Sequence, residues 1–149
     1  RDTELRLEFR RVLFRSQQQI ADAISSAEKK TSGEIRVFLE PKTKLEALHR
    51  AHDVFHELEM EKTEARNGVL IYLAYRDKQF AICGDKAIHE ISGQAFWDDV
   101  VAEMKNHFSK QEMLHGVLRA IEMTGEKLQT FFPHQKNDNN ELSDAPIIR

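Results

Sequence analysis

A single cysteine, Cys83, rules out a disulfide within this chain, so the fold has to stand without a covalent staple. Long apolar runs are missing as well. The longest, Val69 to Tyr75, falls far short of the ~20 residues a membrane helix needs, and nothing resembles the apolar centre of a signal peptide. Positive charge is also scarce. A formal net charge of −3, with no basic cluster in the folded part, offers no field for nucleic acid. The six glycines fit neither the P-loop nor the dinucleotide-binding spacing, which leaves no phosphate loop. No internal repeat or low-complexity tract is present. These absences predict a soluble, cytoplasmic domain with no nucleic-acid partner and no membrane segment. A signal peptide lost ahead of Gln17 is the alternative to that location.

What remains is a chain of 149 residues, 40% hydrophobic and 32% charged, the size and make-up of one globular domain with a real core. Its opening, RDTELRLEFRRVLFRS, differs in texture from the rest. It carries five Arg and three acidic residues and resembles a peptide translated from sequencing-adaptor DNA. Residues 1–16 are therefore predicted to be a non-native extension, with a genuine amphipathic arm as the alternative. Without them the net charge goes from −3 to −5.

Periodicity then orders the chain. Ile20, Ala23, Ile24 and Ala27 recur at helical spacing from Gln17 to Thr31, and Ser32-Gly33 stops that helix, Gly33 being suited to a left-handed cap. Glu34 to Pro41 alternates as a strand, with Ile35, Val37 and Leu39 on its apolar face. Leu45 to about Met60 is helical through Leu48, Ala51, Phe55 and Leu58. Val69 to Tyr75 is apolar at both parities, as a central strand covered on each side must be. Gln79 to Cys83 follows as a hairpin partner across Arg76-Asp77-Lys78. A third helix carries Phe96, Trp97, Val100, Val101, Met104 and Phe108; a fourth runs from Leu114 to Phe131 and ends before Pro133. Residues 134–149 read as a flexible polar tail. The prediction is an α/β protein, a three-layer α/β/α sandwich on a small mixed sheet, in the order α-β-α-β-β-α-α. The helix between the first two strands makes them parallel.

Strand pairing predicts where the polar edges go. A hairpin turning at Asp77-Lys78 brings Asn67-Gly68 and Gly84-Asp85 together at the end away from the turn. A parallel first strand adds Ser32-Gly33-Glu34 at that end, and Asp98 and Asp99 can approach from the next helix. Such a rim offers carboxylate and amide oxygens, the donors that calcium and magnesium prefer; softer metals would want Cys or clustered His. Gly68 and Gly84 permit close backbone approach. An ion there, with Lys86 or Arg66 nearby, could polarise a phosphate for attack by water or by Asp85. Against this, open parallel sheets bind ligands at the carboxyl ends of their strands, and this rim is the amino end of the first two. Turn and cap residues with solvated carboxylates account for the same pattern.

The other candidates are weaker. His49, His52 and His56 share one stripe at spacing a transition metal accepts, but the stripe borders the core face and is explained as a half-exposed boundary. Cys83 in a buried strand reads as packing. Trp97 fits the core face of its helix, and Glu57 to Glu64 reads as a solvated helix end.

AEKKTSGEIRV (27–37), NGVLIYLA (67–74), FAICGDKAIH (80–89) and FWDD (96–99) together resemble the successive signatures of the TPM domain family, which includes a thylakoid acid-phosphatase-like protein. The trailing FFP and NELSDAPI are similar to the short, stand-alone bacterial type. The resemblance covers about Gln17 to Pro133, the span read as the domain (17–133). It implies an α/β/α sandwich, a calcium or magnesium site, and phosphatase activity in some members. Matched motif by motif, it carries over Glu34, Asn67, Gly68, Asp85, and Asp98 or Asp99 as the cation site. Ala87 departs from the frequent GDKGI. Membrane-associated members often have a signal peptide and a membrane helix, and neither is found in this sequence.

The expected function is thus binding of a divalent cation at an acidic rim. Any phosphatase activity would use Asp85 as nucleophile or base and Lys86 as phosphate clamp, with a phosphate ester as substrate. The rival is a non-enzymatic adaptor whose loops the ion steadies and whose helix face binds a protein partner.

Overall fold

The computed structural model describes residues 10–109, 112–135 and 142–149. A helical segment at residues 10–15 leads into α1 (Gln17–Glu28), followed by β1 (Glu34–Glu40), α2 (Ala47–Glu57), a 3₁₀ turn (Met60–Lys62), β2 (Gly68–Ala74) and β3 (Gln79–Gly84). Then come α3 (Lys86–Ser92), a second 3₁₀ turn (Gln94–Trp97), α4 (Asp98–Ser109), α5 (Met113–Phe131) and β4 (Ile147–Ile148).

The sheet is four-stranded in the order β3-β2-β1-β4, with β1 parallel to β2 and β4 and β3 antiparallel to β2. Every residue of β2 is buried. Its two apolar faces serve two separate cores, as expected for a strand covered on both sides. On one side Ile35, Val37, Leu39, Val69, Ile71 and Ile82 pack under α1, α4 and α5; on the other, Phe38, Leu70, Tyr72, Ala81 and Cys83 pack under α2. That is the predicted α/β/α sandwich. Each fully buried aliphatic side chain contributes roughly 1.5–3 kcal/mol, so the double-faced β2 stabilises both cores at once. Leu13, in the segment ahead of α1, is also fully buried in the first core.

Three features differ from the sequence reading. A short helix absent from the sequence reading, α3, follows Asp85 and ends where Gly93 takes φ 66°, and the helix read through Phe96 and Trp97 begins as a 3₁₀ turn ahead of α4. Gly33 is not left-handed. It is needed because a Cβ there would stand 2.9 Å from Leu128 Cδ1 and 3.3 Å from the Asn67 carbonyl, where strand and helix cross closely. Within the stretch read as a flexible polar tail, residues 142–149 dock on the sheet as its fourth strand, with Ile147 and Ile148 opposite Phe38 and Leu39. The apolar Pro-Ile-Ile, too short to show periodicity, is what anchors them.

Candidate functional site

Pairing register assembles the rim. Glu34 lies opposite Gly68 across the parallel pair, and the Asp85 N–H donates to the Gly68 carbonyl at 2.9 Å, continuing the antiparallel ladder one step past β3. Strand alternation turns Glu34, Gly68 and Asp85 to the α2 side of the sheet. The row spans two strand spacings, about 10 Å. Its middle member has no side chain, so a methyl-sized hollow lies between the two carboxylates. A Cβ on Gly68 would meet the Met60 carbonyl at 3.6 Å, the Met60 methyl at 3.7 Å and Leu142 Cδ1 at 3.9 Å, the groups that roof the hollow.

Both carboxylates are buried, Glu34 at 4% and Asp85 at 6% exposure, and both are engaged. Arg66 grips Asp85 with its fork, Nε to Oδ2 and Nη2 to Oδ1, each at 2.9 Å. This hydrogen bonding raises the guanidinium above its ordinary value. Asp85 also caps α3 by accepting the Lys86 N–H at 2.7 Å. Arg66 reaches this position through a left-handed backbone, φ 52°, and its carbonyl accepts the Ala87 N–H at 3.0 Å. At the other end of the row, Glu34 Oε1 accepts the Leu142 N–H at 2.6 Å.

The remaining predicted residues are placed differently. Asn67 is buried and braces the neighbouring turn: its side-chain amide donates to Ser32 Oγ at 3.4 Å, and its carbonyl accepts the Glu34 N–H. Lys86 touches Asp85 only through its backbone; its ammonium is exposed, 3.9 Å from Glu90. Asp98 and Asp99 open α4 on the exposed surface, where Asp99 pairs with Lys127 at 2.9 Å and accepts the Val100 N–H. Among the described residues, no group of three or more His, Cys, Asp or Glu side chains is arranged to hold a metal ion. The structure thus brings Glu34, Gly68 and Asp85 into one row, without drawing Asp98 and Asp99 into such a group. The row itself offers only oxygens, the set a calcium or magnesium ion takes. Both carboxylates of the row are engaged as they stand, so an ion would bind there only with Arg66 and the Leu142 N–H displaced.

Two acidic residues escaped the sequence reading. Glu28 accepts the Ile35 N–H at 2.8 Å, and burial, reinforced by a hydrogen bond with Asp144, pushes its carboxyl up to about 9. The sign was present, since Glu28 continues the Ile20–Ile24 row at i+4 and so puts a charge on an apolar stripe. Glu40, at the carboxyl end of β1, binds Arg50 at 2.8 and 3.1 Å and accepts the Tyr72 hydroxyl. Burial pushes this carboxyl up, but the Arg50 and Tyr72 hydrogen bonds prevail and hold it below its usual value. No periodic pattern betrays such a network. Cys83 is buried against His52 Nδ1 at 3.4 Å, and burial, with Asp85 nearby, pushes its thiol up to about 12. That is a packing residue rather than a nucleophile.

Fold and rim together define a small α/β/α domain whose mixed sheet ends in a row of buried carboxylates. The TPM domain profile matches residues 9–127. The chain belongs to the TPM domain family. It is similar to the BA42 protein of the psychrophilic bacterium Bizionia argentinensis, known from an NMR structure, at 41% identity over 91% of this chain and 93% of that one, with a TM-score of 0.83. No curated protein matches this chain. Among the described residues, no helix is long and apolar enough to cross a membrane.

Proposed function

We propose that the Glu34–Gly68–Asp85 row binds a divalent cation, calcium or magnesium, and that this ion is the basis of the domain's function. One observation carries the reading: two buried carboxylates flank a residue without a side chain at a shared strand end. Asp85 is the central ligand and Glu34 the second. Asp98 and Asp99 are secondary candidates that the same titration tests. The substrate class under this reading is a phosphate ester, which the ion would polarise while Arg66 and Lys86 hold its oxygens. Asp85 acts as nucleophile or base only when Arg66 releases it, because the closed fork engages both of its oxygens.

The second reading is an adaptor whose loops the ion steadies. The exposure of Ile91 and Phe131 favours it, since large apolar side chains on the surface suit a protein partner.

Titration with calcium or magnesium, followed by amide shifts, tests the site. The earliest shifts are expected at residues 66–68 and 84–87. Asp85→Asn keeps a good helix cap while removing the charge, and affinity should fall tenfold or more. A rim that stays silent up to roughly 10 mM ion, beyond the weak end of such sites, refutes the reading. Metal-dependent turnover of a generic phosphate ester, lost in Asp85→Asn, separates the enzyme from the adaptor.

A further inference from the structure

The two edges of the sheet are finished differently. At one, Ile147 and Ile148 pair with β1; at the other, among the described residues, no strand lies outside β3. Pairing parity decides which backbone groups of β3 are left over. The Asp85 N–H donates to the Gly68 carbonyl and the Ala87 N–H to the Arg66 carbonyl, so the odd-numbered residues of β3 bond to β2. The N–H and C=O groups of Phe80 and Ile82 therefore point outward. They open into a cleft of about 330 Å³, walled by Ala47 and Leu48 of α2 on one face of the sheet and by Val101 and Lys105 of α4 on the other.

Edge strands are ordinarily blunted by a charge, a proline or a bulge. Gln79–Gly84 has none of these: its six residues pair with β2 without interruption, and none is charged. What meets this edge is a side-chain amide. Gln94 Nε2 donates to the Ile82 carbonyl at 2.9 Å, the bond that the N–H of a further strand would make. Lys78 and Lys105 stand in the lining against a single carboxylate, Glu46, on the α2 side.

We propose that the open edge of β3 takes a short extended peptide as a fifth strand, with apolar side chains at alternate positions and acidic ones between them. A peptide N–H replaces the Gln94 amide at the Ile82 carbonyl, and the Phe80 N–H, the Phe80 carbonyl and the Ile82 N–H gain partners. Main-chain bonds supply the attraction, and the pockets on either side of the added strand supply the selection. Side chains of a strand alternate between its two faces. Those turned to α2 meet Ala47 and Leu48, and those turned to α4 meet Lys105. Nothing in this depends on a bound cation.

Testing uses the full chain and an acetylated, amidated hexapeptide of alternating valine and glutamate. Binding is expected to shift the Phe80 and Ile82 amides and the Gln94 side-chain amide, and to slow hydrogen exchange at Phe80 and Ile82 about fivefold or more at saturation. The same peptide N-methylated throughout keeps its side chains but has no N–H to give, and should bind about tenfold more weakly or worse. Gln94→Ala clears the Ile82 carbonyl and should tighten binding about threefold to tenfold, the worth of one hydrogen bond. Lys105→Glu should weaken it about twofold to fivefold and favour a valine–lysine peptide instead. Equal binding by the N-methylated peptide overturns strand addition. A β3 that stays silent at roughly 5 mM peptide, in the parent and in Gln94→Ala alike, does the same. Indifference of both peptides to Lys105→Glu overturns the acidic partner. Protection at Phe80 and Ile82 that grows with protein concentration alone assigns the edge to a second copy of the chain and overturns the peptide.

Discussion

Replacing Glu28 with Gln should stabilise this protein near neutral pH and flatten its pH dependence. The Glu28 carboxyl lies between the Ile35 N–H and Asp144, with Glu34 adding repulsion, and its pKa is pushed from 4.5 to about 9. A group raised on folding keeps its proton in the native state. Below 4.5 both states are protonated and there is no penalty. Above that, the unfolded chain gives up its proton while the fold does not, and stability falls with rising pH until the native carboxyl ionises near 9. One proton gives a limiting slope of about 1.4 kcal/mol per pH unit, or about 2.7 kcal/mol between pH 5.5 and 7.5. Glu28 is half-buried, and solvent screening reduces this to about 1.5–2 kcal/mol. The glutamine retains an acceptor for Ile35 and can donate to Asp144, with nothing to ionise. Urea unfolding at pH 5.5, 6.5 and 7.5, read by fluorescence of the buried Trp97, gives both stability curves. The seven histidines are common to both proteins and cancel. The gap between variant and parent should widen by about 1.5–2 kcal/mol across the window. Parallel curves would mean that Glu28 is already ionised in the fold, contrary to its burial and its hydrogen bond with Asp144.

Two glycines should behave oppositely. Gly33→Ala drives a Cβ to 2.9 Å from Leu128 and against a fixed carbonyl, and urea melts should show a loss of about 1–3 kcal/mol. Gly68→Ala meets only ordinary contacts, so stability should change by less than about 1 kcal/mol, while the calcium-induced shifts at residues 84–87 disappear because a methyl fills the hollow. Asp85→Ala should cost about 1 kcal/mol more than Asp85→Asn in the same melts, the value of a lost helix cap; equal losses would mean that the cap contributes nothing. Cys83 should resist a thiol reagent at pH 8 in the folded protein and react once urea opens the sheet, and rapid labelling of the native state would contradict its burial and its raised thiol pKa.

What the sequence revealed followed from period and pairing. The double-faced Val69–Ala74 run, the alternation of Ile35, Val37 and Leu39, and the hairpin together fix a mixed sheet and, with it, the meeting of Glu34, Gly68 and Asp85. Features that depend on single side chains reaching across the fold were not legible. Arg66 gives no local sign that its backbone will turn left-handed and clamp Asp85. Asp99 was readable as a helix residue near the rim but not as the partner of Lys127 from α5. The docking of residues 142–149 rests on a few apolar atoms, a two-residue parallel pairing and hydrogen bonds to distant residues, too little to leave a periodic trace.

The rim's position at the amino ends of β1 and β2 conflicts with the usual preference of open parallel sheets for ligands at carboxyl ends. The conflict resolves through β3. Because β3 runs antiparallel, its own carboxyl end lies at the rim, and Asp85 is the first residue after it, on the turn into α3. That is the position from which strand-to-helix turns ordinarily present ligands. At the opposite pole, the carboxyl ends of β1 and β2 are closed: Glu40 is tied to Arg50 and Tyr72, and Tyr75 holds the Arg149 carbonyl. The pole that the parallel pair would normally offer is filled by satisfied polar groups, and the reversed edge strand places Asp85, held by Arg66, beside Glu34's end of the sheet. There Gly68, lying between Glu34 and Asp85, keeps the row from closing.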